Sequence, residues 1–303
     1  MDKISATRAY YIKLGRGGEW ERDCIANGSL RFGYHQANHD DCLQGRWDNI
    51  ADFWIKVRGN RGAGQRDANQ IRAFYESGPD TVFVTFHDGM LHWCRPKGEV
   101  LLLQDKSKLR TTVDGWHKTS LNGTLLSRDR LSGDLIKVEM FRGTICGIAQ
   151  KDYLLRRIND QLSPQAMAAE TAEAAMLRAI RDLMKILTWK DFELLVELVF
   201  SASGWRRIGT TGKTQKTVDI ELLLPTTGER VFVQVKSYAT KADLEKYSAE
   251  VENSALYGRM FFVYHSGDVP ETANESIIVV GPERLARMVL DLGLWSWLKQ
   301  KAA

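Results

Sequence analysis

Residues 218–224 (VDIELLL) and 230–236 (RVFVQVK) are two apolar runs of strand length joined through Thr226-Thr227-Gly228-Glu229, and no other feature constrains the chain as tightly. Short runs rich in Val, Ile, Leu and Phe, divided by a turn signal, form a β-hairpin. Each run carries a polar interruption: Asp219 in the first, Gln234 and Lys236 in the second. Side chains two positions apart leave a strand on one face, so a carboxylate, an amide and an ammonium converge beside the hairpin. Singly, such residues are usually surface residues; three on paired strands require a chemical reason.

The flanking segments extend this frame. Residues 189–203 place Phe192, Leu195, Val196 and Val199 at helical spacing, with Gly204 fitting the stop. That amphipathic helix brings Glu193 toward the hairpin, and Glu197, one turn on, is its rival. Residues 241–255 read as a second helix, 259–264 and 276–280 as strands, and 282–301 as a closing helix. The order α-β-β-α-β-β-α predicts a mixed sheet flanked by helices. Residues 165–187, helix formers behind Pro164, predict a connecting helix.

Upstream, short alternating runs at 81–86, 100–103 and 135–141, bounded by turn signals, predict a β-rich domain. The expected organisation is a two-domain α+β or α/β chain: residues 1–158, a connector at 159–187, and residues 188–303. Charge is unevenly divided. Residues 1–157 hold 25 Lys and Arg against 19 Asp and Glu, whereas residues 158–303 hold 17 against 19. The mild basic excess is compatible with a polyanionic partner and equally with an ordinary solvated surface. The absence of a long apolar run argues against a membrane span, and the N-terminal residues lack the apolar stretch of a signal peptide. The four cysteines (Cys24, Cys42, Cys94, Cys146) show no CxxC spacing, so a reduced, cytoplasmic protein is expected. His35, His39 and Cys42, or His92 and Cys94, are too loosely spaced for an expected zinc site.

Asp219, Glu193 and a backbone carbonyl near Val235 offer hard oxygen ligands of the kind that suit Mg²⁺, with Mn²⁺ as a substitute. Lys236 is placed to orient a water or neutralise charge building on a phosphate, and Gln234 adds a neutral oxygen. Gly209-Thr210-Thr211-Gly212-Lys213-Thr214 imitates a phosphate-binding P-loop, but the position that must be the first glycine is Arg207. The stretch reads instead as a polar loop whose Lys213 and Lys216 reach DNA phosphates.

Phe192-Glu193, Gly204-Trp205, Val218-Asp219-Ile220 and Val233-Gln234-Val235-Lys236-Ser237 together resemble the PD-(D/E)xK nuclease superfamily. The segment is most similar to Mrr-like restriction endonucleases, in which the last acidic residue is commonly glutamine. The resemblance covers about 115 residues. It implies a restriction-endonuclease-like sheet with Asp219 as principal metal ligand, Gln234 as second site residue, Lys236 as catalytic lysine and Glu193 as helix acid. One departure is Lys216-Thr217-Val218, where related chains often carry glycines.

In the N-terminal half, residues 14–20 (LGRGGEW) and 30–34 (LRFGY) resemble the start of PUA-like domains of the EVE kind. That resemblance implies a β-rich, PUA-like barrel that reads modified bases. Such a base is held by aromatic stacking and a few hydrogen bonds. Trp20, Tyr34 and Trp93, each beside a turn or polar segment, are the expected pocket residues. Residues 58–66 (RGNRGAGQR) are expected to wrap phosphates with Arg58, Arg61, Arg66 and backbone amides, or to form a mobile surface loop. Together the resemblances imply a modification-dependent, type IV-like DNA endonuclease of phage defence. It would act as a homodimer, with the apolar 290–297 segment available for an interface or for core closure. A non-cleaving nucleic-acid sensor and a structure-specific repair or junction nuclease are the alternatives.

Overall fold

The computed structural model describes residues 3–208, 219–252 and 259–303. It divides into two compact units, Met1–Gln165 and Ala166–Ala303.

The N-terminal unit runs β1 (Arg8–Ile12), α1 (Glu21–Asn27), β2 (Ser29–Phe32), α2 (His39–Leu43), α3 (Trp47–Arg58), α4 (Arg61–Glu76), β3 (Thr81–His87), β4 (Met90–Leu102), β5 (Lys108–His117), α5 (Gly133–Ile136), β6 (Ile145–Gly147) and α6 (Lys151–Ile158). Six strands form one sheet in the order β2-β5-β4-β3-β1-β6, with β1 parallel to β3 and the other pairs antiparallel. Alternation along β3 divides the core. Phe83 packs with Ile50, Trp54, Ile71 and Phe74 of α3 and α4, while Val82 and Val84 pack with Leu154 and Ile158 of α6.

Two expectations for this half require correction. Residues 135–141 do not form a strand: Gly133–Ile136 is helical and Lys137–Met140 is a 3-10 turn. Ser132 caps this helix, its hydroxyl accepting from the Asp134 N–H at 3.3 Å, and Leu135 is buried. The cap signal outweighs the strand preference of the Ile and Val that follow. Residues 58–66 are likewise not a glycine-rich loop. Gly59 ends α3 in the left-handed region (φ 61°), and the Asn60 side chain caps α4 by accepting from the Ala63 N–H at 2.9 Å. The Gly64 N–H is already bonded to the Asn60 carbonyl. Gly64 is present for its size: a Cβ there would lie 2.4 Å from the Ile55 backbone nitrogen, so α3 and α4 cross at this point.

The C-terminal unit begins inside α7 (Pro164–Lys185) and continues with α8 (Trp189–Ala202), β7 (Arg206–Arg207), β8 (Ile220–Leu224), β9 (Glu229–Ala239), α9 (Lys241–Glu252), β10 (Arg259–Gly267), β11 (Ile277–Val280), α10 (Pro282–Asp291) and α11 (Trp295–Ala302). Its sheet has the order β11-β10-β9-β8-β7. The hairpin pair β8–β9 is antiparallel, and β9, β10 and β11 run parallel, which is the mixed sheet expected. One core joins Val231, Val233 and Val235 to Ile180 and Met184 of α7, the buried stripe of α8, and Leu285 and Leu298 of α10 and α11. Phe232 belongs to a second core with Leu244 and Tyr247 of α9. The closing helix expected at 282–301 is two helices, broken at Gly293 (φ 71°). Within the 290–297 segment, Leu290, Leu292, Leu294, Trp295 and Trp297 pack against the first core. No helix among the described residues is long and apolar enough to cross a membrane.

Candidate functional site

The last β8–β9 backbone pair on the Asp219 side is Ile220 with Val233. One residue beyond it, the Asp219 carboxylate takes over the role of a strand. Its Oδ2 accepts from the Val235 N–H at 2.7 Å and from the Gln234 side-chain amide. Gln234 is 3% exposed, and its Oε1 is buried without a partner among the described residues. Such an orphaned acceptor is costly unless a ligand satisfies it.

Lys236 follows on the same face of β9, with its Nζ 5.1 Å from the ring centre of the buried Tyr247. Burial pushes the ammonium pKa down, but the Tyr247 hydroxyl and the nearby Asp219 and Asp243 charges outweigh that effect, so it stays above its usual value. Glu193 is carried by α8, whose start is fixed by Thr188: its hydroxyl accepts from the Asp191 N–H at 3.2 Å, a cap of about 1 kcal/mol. The helix buries Phe192, Leu195, Val196 and Val199, so Glu193 lies at the flank of the stripe and is half-buried. Burial first, and the Asp219 carboxylate second, hold its pKa above the usual range. Asp219 is also raised: burial dominates, and the Val235 N–H, Lys236 and Gln234 offset it only in part. The rival Glu197 is instead ion-paired with Arg207. Thus Glu193, Asp219, Gln234, Val235 and Lys236 are brought together.

Two desolvated carboxylates, one of which raises the other's pKa, beside an orphaned amide oxygen, form an electrostatic deficit that a hard cation fits. No group of three or more His, Cys, Asp or Glu suitable for a metal occurs among the described residues. The fit therefore rests on two carboxylates plus neutral oxygens. Lys213 and Lys216 lie outside the described residues. Sequence reading missed Tyr247, whose link to Lys236 crosses from α9 to β9 and leaves no local signature.

In the N-terminal unit, two adjoining cavities lie on either side of residues 142–144. One, of about 580 Å³, is lined by Tyr34, Trp54, Arg58, Arg66, Asp67 and Gln70 together with residues of the 141–144 segment. The other, of about 490 Å³, is lined by Lys13, the 15–17 turn, Trp20, Gly33 and His35, and again by 142–144. Both volumes are typical of small-ligand sites. Tyr34 has a left-handed backbone (φ 50°), its ring stacks on Phe32 at 4.9 Å, and its hydroxyl donates to Asp67 at 2.7 Å. Arg58 donates to the other Asp67 oxygen at 2.5 Å. The fully buried Lys108 donates to the Tyr34 carbonyl at 2.6 Å, and burial pushes its pKa down to about 8. Trp20 carries the Arg31 guanidinium on one face, 4.4 Å from the ring centre.

Of the residues expected to contact nucleic acid, Trp20, Tyr34, Arg58 and Arg66 line these cavities, while Arg61 and Trp93 line neither. Trp93 is a core residue whose indole N–H is bonded to the Thr119 carbonyl at 2.8 Å. Expecting it in a pocket because it neighbours polar residues was an error, since the strand turns it inward. Trp54, Asp67, Gln70 and Arg142 were missed because they come from segments far apart in sequence.

No curated protein matches the chain. A solved structure of the MspJI restriction endonuclease in complex with a 27-mer oligonucleotide aligns over 80% of this chain and 68% of that one, at 13% identity and a TM-score of 0.29. A family model described as restriction endonuclease, of the Mrr catalytic type, matches residues 184–257. Glu193, Asp219, Gln234 and Lys236 all fall within that span, and the C-terminal unit therefore carries a restriction endonuclease domain of the Mrr-like PD-(D/E)xK kind over residues 184–257.

Proposed function

We propose that the protein is a metal-dependent DNA endonuclease whose N-terminal unit, PUA-like in role, directs it to DNA carrying a modified base. The observation that carries the nuclease reading is the Asp219 carboxylate, pinned by Gln234 and Val235 with Lys236 beside it. Asp219, Glu193, the Gln234 oxygen and the Val235 carbonyl would hold Mg²⁺, with Mn²⁺ able to replace it. Bound there, such an ion supplies charge neutralisation at a scissile phosphate and acidifies water. The Val235 N–H and the Gln234 amide fix the Asp219 carboxylate, so it requires no reorganisation during the reaction. The Lys236 ammonium, kept charged by its neighbours, faces the charge that builds on the phosphate. Cutting both strands needs two such sites, which a homodimer provides. Cytoplasmic defence against phage is the setting in which such an activity is useful.

Incubation of the full chain with plain, methylated, hydroxymethylated and glucosylated DNA, with and without Mg²⁺, tests the reading. Cleavage of one or more modified substrates, dependent on Mg²⁺ and lost in Lys236→Ala, is expected. Binding without cleavage by the intact protein leaves a sensor instead, equal cutting of all linear duplexes removes the modification requirement, and a preference for branched DNA indicates a structure-specific nuclease.

A further inference from the structure

The two N-terminal cavities are built as a pair. Both contain an aromatic ring, Tyr34 in one and Trp20 in the other, and both rings are half-buried. Each cavity also has its own cations, Arg58 and Arg66 in the first, Lys13 and Arg16 in the second. Tyr34 links them through the backbone. Its left-handed turn puts its ring in one cavity and its neighbours Gly33 and His35 in the other. The opposite boundary, residues 142–144, lines both. Arg142 is exposed there, and its guanidinium has no hydrogen bond or ion pair among the described residues.

The polar groups left free point to a ligand rich in acceptors. Asp67 is already engaged by Tyr34 and Arg58, and the Gln70 oxygen by the Thr144 and Ile145 N–H groups at 2.7 and 2.9 Å. Among the described residues, the Arg66 and Arg142 guanidiniums have no hydrogen bond or ion pair, and Trp54, 6% exposed, has an indole N–H that is buried without a partner. Two separate ring-bearing cavities with a free cation on the wall between them match two flat groups joined by one anion.

Given the reading of this unit as a nucleic-acid binder, we propose that it takes two successive bases of one strand, one in each cavity, with their linking phosphate at Arg142. The recognition unit is then a dinucleotide step, so the base next to the modified one contributes to selection. Stacking of each base contributes separately, and the Arg142 contact is a fork to a phosphate that carries no sequence information itself.

The test uses the full chain in EDTA, which keeps cleavage off, and a fluorescent single-stranded DNA dodecamer bearing one 5-hydroxymethylcytosine. Each position is replaced in turn by an abasic unit. Two adjacent positions, and only those, should each weaken binding roughly tenfold or more. Trp20→Ala should erase the sensitivity at one of them and leave the other. Arg142→Ala should weaken binding across all sequences and lower the salt slope by about one, and Arg142→Lys should restore much of it. A single sensitive position, or two that are not neighbours, overturns the dinucleotide proposal while leaving nucleic-acid binding intact. No binding to the dodecamer, modified or plain, overturns both. Equal affinity for the 5-hydroxymethylcytosine and plain dodecamers, with two adjacent sensitive positions, supports the two-base footprint and removes only the modification requirement.

Discussion

In the C-terminal unit, the polar cluster is drawn from one hairpin and one helix, and three of its members lie within 18 residues of one another, Asp219 to Lys236. The N-terminal cavities instead draw on Lys13 just past β1, the 15–20 turn, residues 33–35 just past β2, helices α3 and α4, and the 141–144 segment. The first site is fixed by strand register, the second by the packing of separate elements. Strand register tolerates change in the surrounding core as long as the hairpin pairs. A cavity walled by helices shifts when any contact behind the wall shifts. The two sites should therefore fail differently: the hairpin site by loss of chemistry with the fold intact, the cavities by loss of shape.

The largest expected effect tests the first half of that contrast. Lys236→Ala should reduce cleavage by about 10³-fold, the scale for removing one preorganised charge at a reacting phosphate. Lys236 is half-buried and belongs to neither buried core. Circular dichroism and oligonucleotide binding in EDTA should therefore match the parent, and a loss of both along with cleavage would make Lys236 a structural residue. The counterpart in the other unit is Gly64→Val. Its Cβ would lie 2.4 Å from the Ile55 nitrogen, so α3 and α4 must separate. A cost of about 3 kcal/mol is expected. Arg58 on α3 and Arg66 and Asp67 on α4 move with the helices, so oligonucleotide binding should fall as well. Chemical denaturation followed by tryptophan fluorescence measures the first quantity and fluorescence anisotropy the second. Unchanged binding at that cost in stability would mean that the cavity is not the binding site.

The same difference explains what the sequence disclosed. The hairpin was legible because strand period and turn chemistry act over a few residues, so the alternation of side chains alone puts Gln234 and Lys236 on one face and Asp219 beside them. Glu193 was legible through the helical spacing of Phe192, Leu195, Val196 and Val199. Its rival could not be dismissed from sequence, because the Arg207 partner of Glu197 lies ten residues on, across a helix end. Gly59 and Gly64 were misread because glycine serves two purposes: the first ends a helix and the second lets two helices touch. Composition alone does not separate these from flexibility. Arg142 was invisible for a different reason, since only tertiary packing brings it between Tyr34 and Trp20.

A smaller effect isolates one strut of the cavity. Tyr34→Phe keeps the ring on Phe32 but removes the hydroxyl that donates to Asp67. Asp67 is 7% exposed and would rely on Arg58 and on a long 3.4 Å contact from Gln70. The loss should be about 1–2 kcal/mol in the N-terminal unit, read as a lower denaturation midpoint. No change in the midpoint would show that Arg58 alone satisfies the carboxylate.

The smallest effect has the opposite sign and belongs to the hairpin site. Burial raises the Asp219 pKa above that of an ordinary aspartate, so in the absence of metal the folded protein holds this proton more tightly than the unfolded chain. A raised folded pKa contributes stability that is fully present below the unfolded value and is lost as pH rises through the folded one. At pH 7 that contribution is gone and the desolvated charge is a burden. Asp219→Asn removes the charge and retains an oxygen for the Val235 N–H. In EDTA at pH 7 the variant should melt higher by about 2–5 °C, and the advantage should fade as pH falls through the acid range where Asp219 takes up its proton. Mg²⁺ should reverse the order, because an ion bound to the folded parent stabilises it by mass action and finds fewer charges in the variant. A variant less stable than the parent in EDTA at every pH would mean that the carboxylate serves the fold as a hydrogen-bond acceptor more than it burdens it. The hairpin site would then depend on packing as the cavities do.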